Sequence, residues 1–183
     1  GRAIPWRLTL RLLAPTVGCA AAGAWLATLA SPGFMRTAFV AAIILVALSV
    51  LVQPSRWVST AEPRLHEPWR TVVFAAIGLY GGFVQVGVGL PLLVALVPGL
   101  GLGLVRGNAA KTFLILCTTP LTLLLFAVAG QVDWAAGTAL GAGSMVGALV
   151  ASRLALREGA TAWIRWVVVA AALGAATQML FFS

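Results

Sequence analysis

Ionisable side chains are scarce in this 183-residue chain: four Asp and Glu together, one His and two Cys. Glu62, Glu67, Asp133, Glu158 and His66 all fall between the long apolar stretches or at their ends. Coupled pumps carry protons on acids or histidines inside a span, and none is available here. The same shortage leaves no metal-ligand set, no paired carboxylates and no Ser/His arrangement, so neither an intramembrane enzyme nor a bound cofactor is expected. Cys19 and Cys117 sit inside apolar runs, where they read as packing residues rather than a disulfide. The excess of positive charge, formally +8, is scattered singly. Without a basic face or a stacking platform it excludes nucleic acid as a partner.

What the chain has in abundance is apolar surface. It is 61% hydrophobic and 9% charged, with a mean hydropathy of +1.04. A soluble domain of this length has too little interior to hide that. Apolar runs of about 20 residues, the length that crosses a bilayer, recur near 8–30, 37–53, 112–130, 134–152 and 164–182. Trp6, Trp57, Trp69, Trp134, Trp163 and Trp166 flank them, as an interfacial belt requires. The expected fold is an all-α polytopic membrane protein forming a single domain over 1–183, with the lipid bilayer as its surroundings.

One apolar segment differs from the rest. Residues 71–100 are interrupted by Gly81, Gly82, Gly87, Gly89 and Pro91, and a cationic–amide cluster of Arg106, Asn108 and Lys111 follows. A glycine- and proline-broken membrane segment is a sequence pointer to a transport site. The distribution of charge decides how it is threaded. If 71–100 crosses once, the twelve positive residues divide six against six between the two sides. If it dips in and returns, eleven share one face and Arg36 alone lies on the other. Positive residues accumulate on the cytoplasmic side, so the re-entrant reading is preferred. Two arms of about 13 residues reach only some 20 Å, which suits a dip rather than a crossing. The turn is expected at Gly87-Val88-Gly89-Leu90-Pro91.

A repeat points the same way. Gly23-Ala24-Trp25-Leu26-Ala27-Thr28 resembles Gly147-Ala148-Leu149-Val150-Ala151-Ser152, and each is followed by a lone arginine, Arg36 or Arg165, that opens an alanine- and valine-rich helix. The pairs 8–53 and 134–182 therefore read as copies, inverted in the re-entrant topology, as in secondary transporters. On this reading 8–53 holds the last two helices of a first repeat and 71–182 the second repeat. Two elements are then expected upstream of residue 1, in keeping with a chain that begins Gly-Arg rather than Met.

The order and spacing of Gly81, Gly82, Gln85, Gly87 and Gly89, then Leu104, Val105, Arg106, Asn108 and Lys111, then Gly130-Gln131-Val132-Asp133-Trp134 and Gly143, Gly147 and Ala148, resemble the TauE/SafE sulfite exporter family. The resemblance runs along essentially the whole chain and corresponds to the C-terminal three quarters of the family pattern. It implies a multi-pass protein of the bacterial inner membrane that exports a small sulfur oxyanion, such as sulfite, or an organosulfonate.

The candidate substrate-binding residues are Gly82, Gln85, Gly87, Gly89, Arg106, Asn108 and Lys111. Freed amides and positive helix ends of the broken segment offer donors to an oxyanion. Lys111 follows Asn108 by one turn on one helical face. The alternatives are ordinary: Arg106 and Lys111 as markers of a cytoplasmic loop, Gln85 as a partner of local backbone, Gly18, Gly23, Gly143 and Gly147 as sites of close helix packing. Thr112, Thr118, Thr119 and Thr122 offer hydroxyls, or bond back to their own helix. Asp133 and Trp134 are expected to cap and anchor the next span. The functional expectation is anion export by alternating access around 81–91 and 106–112. The alternative is a non-transporting integral-membrane subunit or assembly anchor; either leaves room for a homo-oligomer.

Overall fold

A computed structural model describes residues 4–51, 65–154 and 174. Among the described residues the architecture is entirely helical: α1 (Trp6–Leu29), α2 (Pro32–Leu51), α3 (Trp69–Phe83), α4 (Gly89–Val94) continuing as a π-helical turn (Ala95–Gly99), α5 (Leu104–Val128) and α6 (Trp134–Leu154). The helices over 6–29, 104–128 and 134–153 are long and apolar enough to cross a membrane. Apart from Gly174, the helix expected at 164–182 lies outside the described residues, and with it one half of the proposed second copy.

Local chemistry sets most of the boundaries. α1 stops at Ala30, whose backbone is extended, and Pro32 opens α2 where its missing N–H costs nothing. Ser31 Oγ accepts the Phe34 amide at 3.4 Å as an N-terminal cap. At the far end of α5, Gly130 adopts φ 69°. The Gly130 amide then bonds Ala127 O at 3.0 Å and the Gln131 amide bonds Phe126 O at 3.0 Å, the paired bonds of a Schellman terminus. Asp133 accepts the Ala136 amide at 3.0 Å, so it does cap α6. Outside the spans, the Glu67 carboxyl ahead of α3 is held below its usual range, first by the Thr71 hydroxyl and then by Arg70.

Residues 65–103 form a re-entrant hairpin. α3 enters, the chain turns over 84–88, and the second arm runs back until Gly99 O accepts the Leu65 amide at 2.9 Å. The segment therefore ends beside its own beginning. The neighbouring helices agree. Trp6 near the start of α1 packs edge-on against Phe113 with ring centroids 5.1 Å apart, and Gln131 just beyond α5 donates to Thr28 O at the end of α1. α1 and α5 thus run in the same direction, which a single crossing by 71–100 would forbid. The arms, Trp69–Phe83 and Gly89–Gly99, rise about 22 and 16 Å, each short of an apolar core about 30 Å thick.

Two boundaries differ from the sequence expectation. The turn lies at 84–88, so Gly87 and Val88 belong to it as expected, but Gly89, Leu90 and Pro91 already form the first turn of the second arm, where proline is tolerated. α5 starts at Leu104 rather than 112, since Gly103 supplies an extended backbone and Arg106, Asn108 and Lys111 are compatible with helix.

The core forms where the hairpin meets α1 and α5. Leu12, Phe74, Leu92, Leu96, Ala110 and Leu114 are buried there. α1 and α3 approach backbone to backbone. A Cβ on Gly78 would lie 2.3 Å from Thr16 O, one on Gly82 1.9 Å from Ala20 O, and one on Gly23 2.1 Å from Leu79 O. Only glycine fits at these crossings. α6 is the opposite case: its described side chains are exposed throughout, and a Cβ on Gly143 or Gly147 would meet nothing within 4 Å. The expected close packing is therefore present at Gly23 and absent, among the described residues, at Gly18, Gly143 and Gly147.

Candidate functional site at the hairpin tip

The tip is built on two left-handed residues. Gln85 has φ 64° and Gly87 φ 70°. Glycine takes this conformation freely, whereas glutamine does so at a cost of order 1 kcal/mol. The Tyr80 hydroxyl donates to Val86 O at 2.5 Å and the Leu90 amide to Gly87 O at 3.0 Å, which pins the tip onto the end of α3 and the start of the second arm.

Two contacts join this tip to α5. Gln85 Nε2 donates to Thr119 Oγ1 across a long 3.4 Å. Gly89 faces Lys111: a Cβ at Gly89 would stand 3.8 Å from Lys111 Cδ and 4.0 Å from its Nζ. Lys111 is half-buried as a residue, and its side chain runs alongside Gly89. The fold thus sets Lys111 beside Gly89 and Gln85 beside Thr119, so the tip meets α5 at two places about 12 Å apart along that helix.

The remaining candidates are placed differently. Gly82 is buried at the α1–α3 crossing, against Ala20 O, and supports the tip from beneath. Arg106 and Asn108 are both exposed in the opening turns of α5. At about 100° per residue Asn108 lies within about 60° of Lys111, while Arg106 lies about 140° away, on another face. The helix therefore separates the two cations that the sequence places side by side.

The hydroxyls of α5 mostly serve their own helix. Thr112 donates to Asn108 O at 2.9 Å, Thr118 to Ile115 O at 3.1 Å and Thr122 to Thr119 O at 3.0 Å. In α1, Thr16 donates to Leu12 O at 2.6 Å. These groups have spent their only hydrogens and offer acceptors, not donors.

Two hollows adjoin the tip. A groove of about 760 Å³ opens between the arms beside α2, walled by Val46, Ile77, Leu90, Pro91, Val94 and Pro98 among others. Its character is apolar, and the hydroxyl of Tyr80 that borders it is committed to Val86, so nothing in it suits an anion. A second cavity, of about 10 Å³, lies among α1, the hairpin and α5 with Thr16, Gln85 and Thr118 on its wall. That is about the room one water needs, so this cavity is too small for an oxyanion, although Gln85 itself is exposed.

Sequence reasoning did not single out Gly78, although its spacing to Gly82 is the small-xxx-small pattern of close helix packing. It also treated the four threonines of α5 alike, and no sequence signal marks Thr119 as the one that meets Gln85.

A helical membrane protein with a re-entrant hairpin whose glycine-rich tip meets a half-buried lysine is the class that this geometry defines. The family model described as "Sulfite exporter TauE/SafE" matches residues 1–179. The chain belongs to the TauE/SafE family. It is similar to a protein named probable membrane transporter protein YfcA from Escherichia coli K12, with 29% identity over 118 residues, 64% of this chain and 44% of the relative. The proteins of the same name from strains O6:H1 and O157:H7 match equally. The match thus spans under half the length of these relatives. No solved structure matches.

Proposed function

We propose that this chain forms the substrate-handling part of a bacterial inner-membrane transporter that exports a small anion, sulfite or an organosulfonate, by alternating access. Membership of the TauE/SafE family and the name of the Escherichia coli relatives support a membrane transporter. The observation that carries the anion reading is the half-buried residue Lys111, whose side chain runs alongside Gly89 at a tip that also carries Gln85 and Gly87. A cation beside a backbone without side chains is a good host for an oxyanion and a poor one for a metal ion. Asn108 lies on the same side of α5 and serves as an approach residue; Arg106, on another face, draws anions to that end of the helix by its field. Gly82 keeps α3 close enough to α1 to hold the tip in place.

The small cavity among α1, the hairpin and α5 must widen before an anion can pass behind the tip. An inside-negative potential favours anion exit by about 2.3 kcal/mol per charge per 100 mV, so export needs no coupled ion. The inverted relation of 8–53 and 134–182 belongs to the same proposal, as the source of the two alternating openings. Flux into proteoliposomes holding the full chain, under an imposed potential, tests it with sulfite, sulfate, thiosulfate and sulfoacetate. Saturable flux of one anion, lost in Lys111→Ala or Gly87→Leu, is the expected outcome. No flux from folded, inserted protein would favour the membrane-subunit alternative.

A further inference from the structure

Thr118 and Thr119 are neighbours on α5 that differ in what their hydroxyls do. Thr118 gives its hydrogen to Ile115 O. Thr119 Oγ1 instead accepts the Gln85 amide, and its own hydrogen has no acceptor among the described residues. A candidate acceptor is near at hand: Pro120 has no N–H, so the Leu116 carbonyl lacks its usual i+4 partner in the helix. Thr119 does not take it. Its hydrogen is left for something else.

Gln85 supplies the second part of the argument. It occupies a left-handed position at the tip where glycine would sit without strain. A strained residue that persists points to a task for its side chain. That side chain has two amide hydrogens and spends one on Thr119. Donation into a hydroxyl oxygen polarises the hydroxyl and strengthens it as a donor. The two groups together present one amide hydrogen and one activated hydroxyl hydrogen, with no formal charge. Gln85 is exposed and Thr119 half-buried, so the pair is within reach of a ligand.

Its position relative to Lys111 gives the pair a role. Thr119 lies about 12 Å further along α5 than Lys111 and about 80° around it, too far for one small oxyanion to touch both. We propose that Gln85 and Thr119 form a second, uncharged oxyanion station beyond the Lys111 site, with Thr119 as its specific donor. This rests on the anion reading above. Two stations of unequal strength suit transport, because an anion must bind well enough to enter and weakly enough to leave.

The test compares sulfite flux in proteoliposomes for the full chain and five variants, with thermal unfolding in detergent for each. Thr119→Val removes the hydroxyl and keeps the shape. It is expected to lower maximal flux about tenfold, the worth of one hydrogen bond to a charged ligand, while half-saturation stays within about twofold. Thr119→Ser should keep wild-type flux, and Thr118→Val, whose hydroxyl is already spent, should stay within about twofold. Gln85→Gly guards against a mere folding defect: it relieves the strain, so unfolding temperature should hold or rise while flux falls as in Thr119→Val. Lys111→Ala reports on the first site by raising half-saturation. Flux within twofold of wild type in Thr119→Val, or an equal loss in Thr118→Val, overturns the second station, and a Lys111→Ala effect alongside that result leaves the first site standing. Absence of flux in the wild-type protein for sulfite, thiosulfate and sulfoacetate alike overturns the anion reading and the second station together.

Discussion

α3 and α6 are both rich in glycine, and the structure uses them in opposite ways. In α3, Gly78 and Gly82 are buried, and each faces a carbonyl of α1 at a distance that forbids any side chain. In α6, Gly137, Gly141, Gly143 and Gly147 face open space. In a bilayer, apolar side chains gain little by leaving lipid, so helices associate through close backbone approach and polar contacts. A glycine is therefore worth what stands opposite it. α1 provides a partner for α3 along two turns, and no described element provides one for α6.

That comparison can be broken by substitution. The largest effect is expected for Gly82→Val, whose Cβ would stand 1.9 Å from Ala20 O, a backbone atom that cannot step aside. Separation of α1 from α3 should cost at least about 3 kcal/mol, seen as loss of monodisperse folded protein in detergent. Next comes Lys111→Ala at the junction of hairpin and α5: anion flux should fall about tenfold or more while the unfolding temperature changes little, since the ammonium makes no ion pair among the described residues. Gly87→Ala tests the tip. At φ 70° any side chain is strained, and the new methyl must displace Val46, so a loss of about 1–2 kcal/mol is expected in thermal unfolding. Gly143→Ala should do least, within about 0.5 kcal/mol and with a slight gain in helix propensity. A loss there as large as that of Gly82→Val would mean that the α6 face is packed in the assembled protein, and the contrast between the two helices would vanish.

The tip and the core differ in how far they could be read in advance. Membrane class, the broken segment and its return to the side it left were legible, because hydropathy and the one-sided placement of arginine are properties of residues counted along the chain. So was the cap at Asp133, a local bond between residues three apart. The exact turn was not: Gly89 and Pro91 suit a turn and the first turn of a helix equally, and the Tyr80 bond to Val86 O belongs to the turn chosen. The separation of Arg106 from Lys111 follows from one fact that sequence left open, that α5 begins at Leu104 rather than 112. Once the helix includes both, its pitch puts them on different faces.

By itself the sequence determined that this protein lives in a membrane and that residues 71–100 enter and turn back. These follow from the composition of each segment, which the bilayer sorts without reference to any other segment. Only the tertiary structure decided that Gly82 packs while Gly89 faces Lys111, and that Thr119 rather than Thr118 meets Gln85. Such distinctions depend on which atoms arrive opposite one another when distant helices dock, and no local preference of glycine or threonine encodes them.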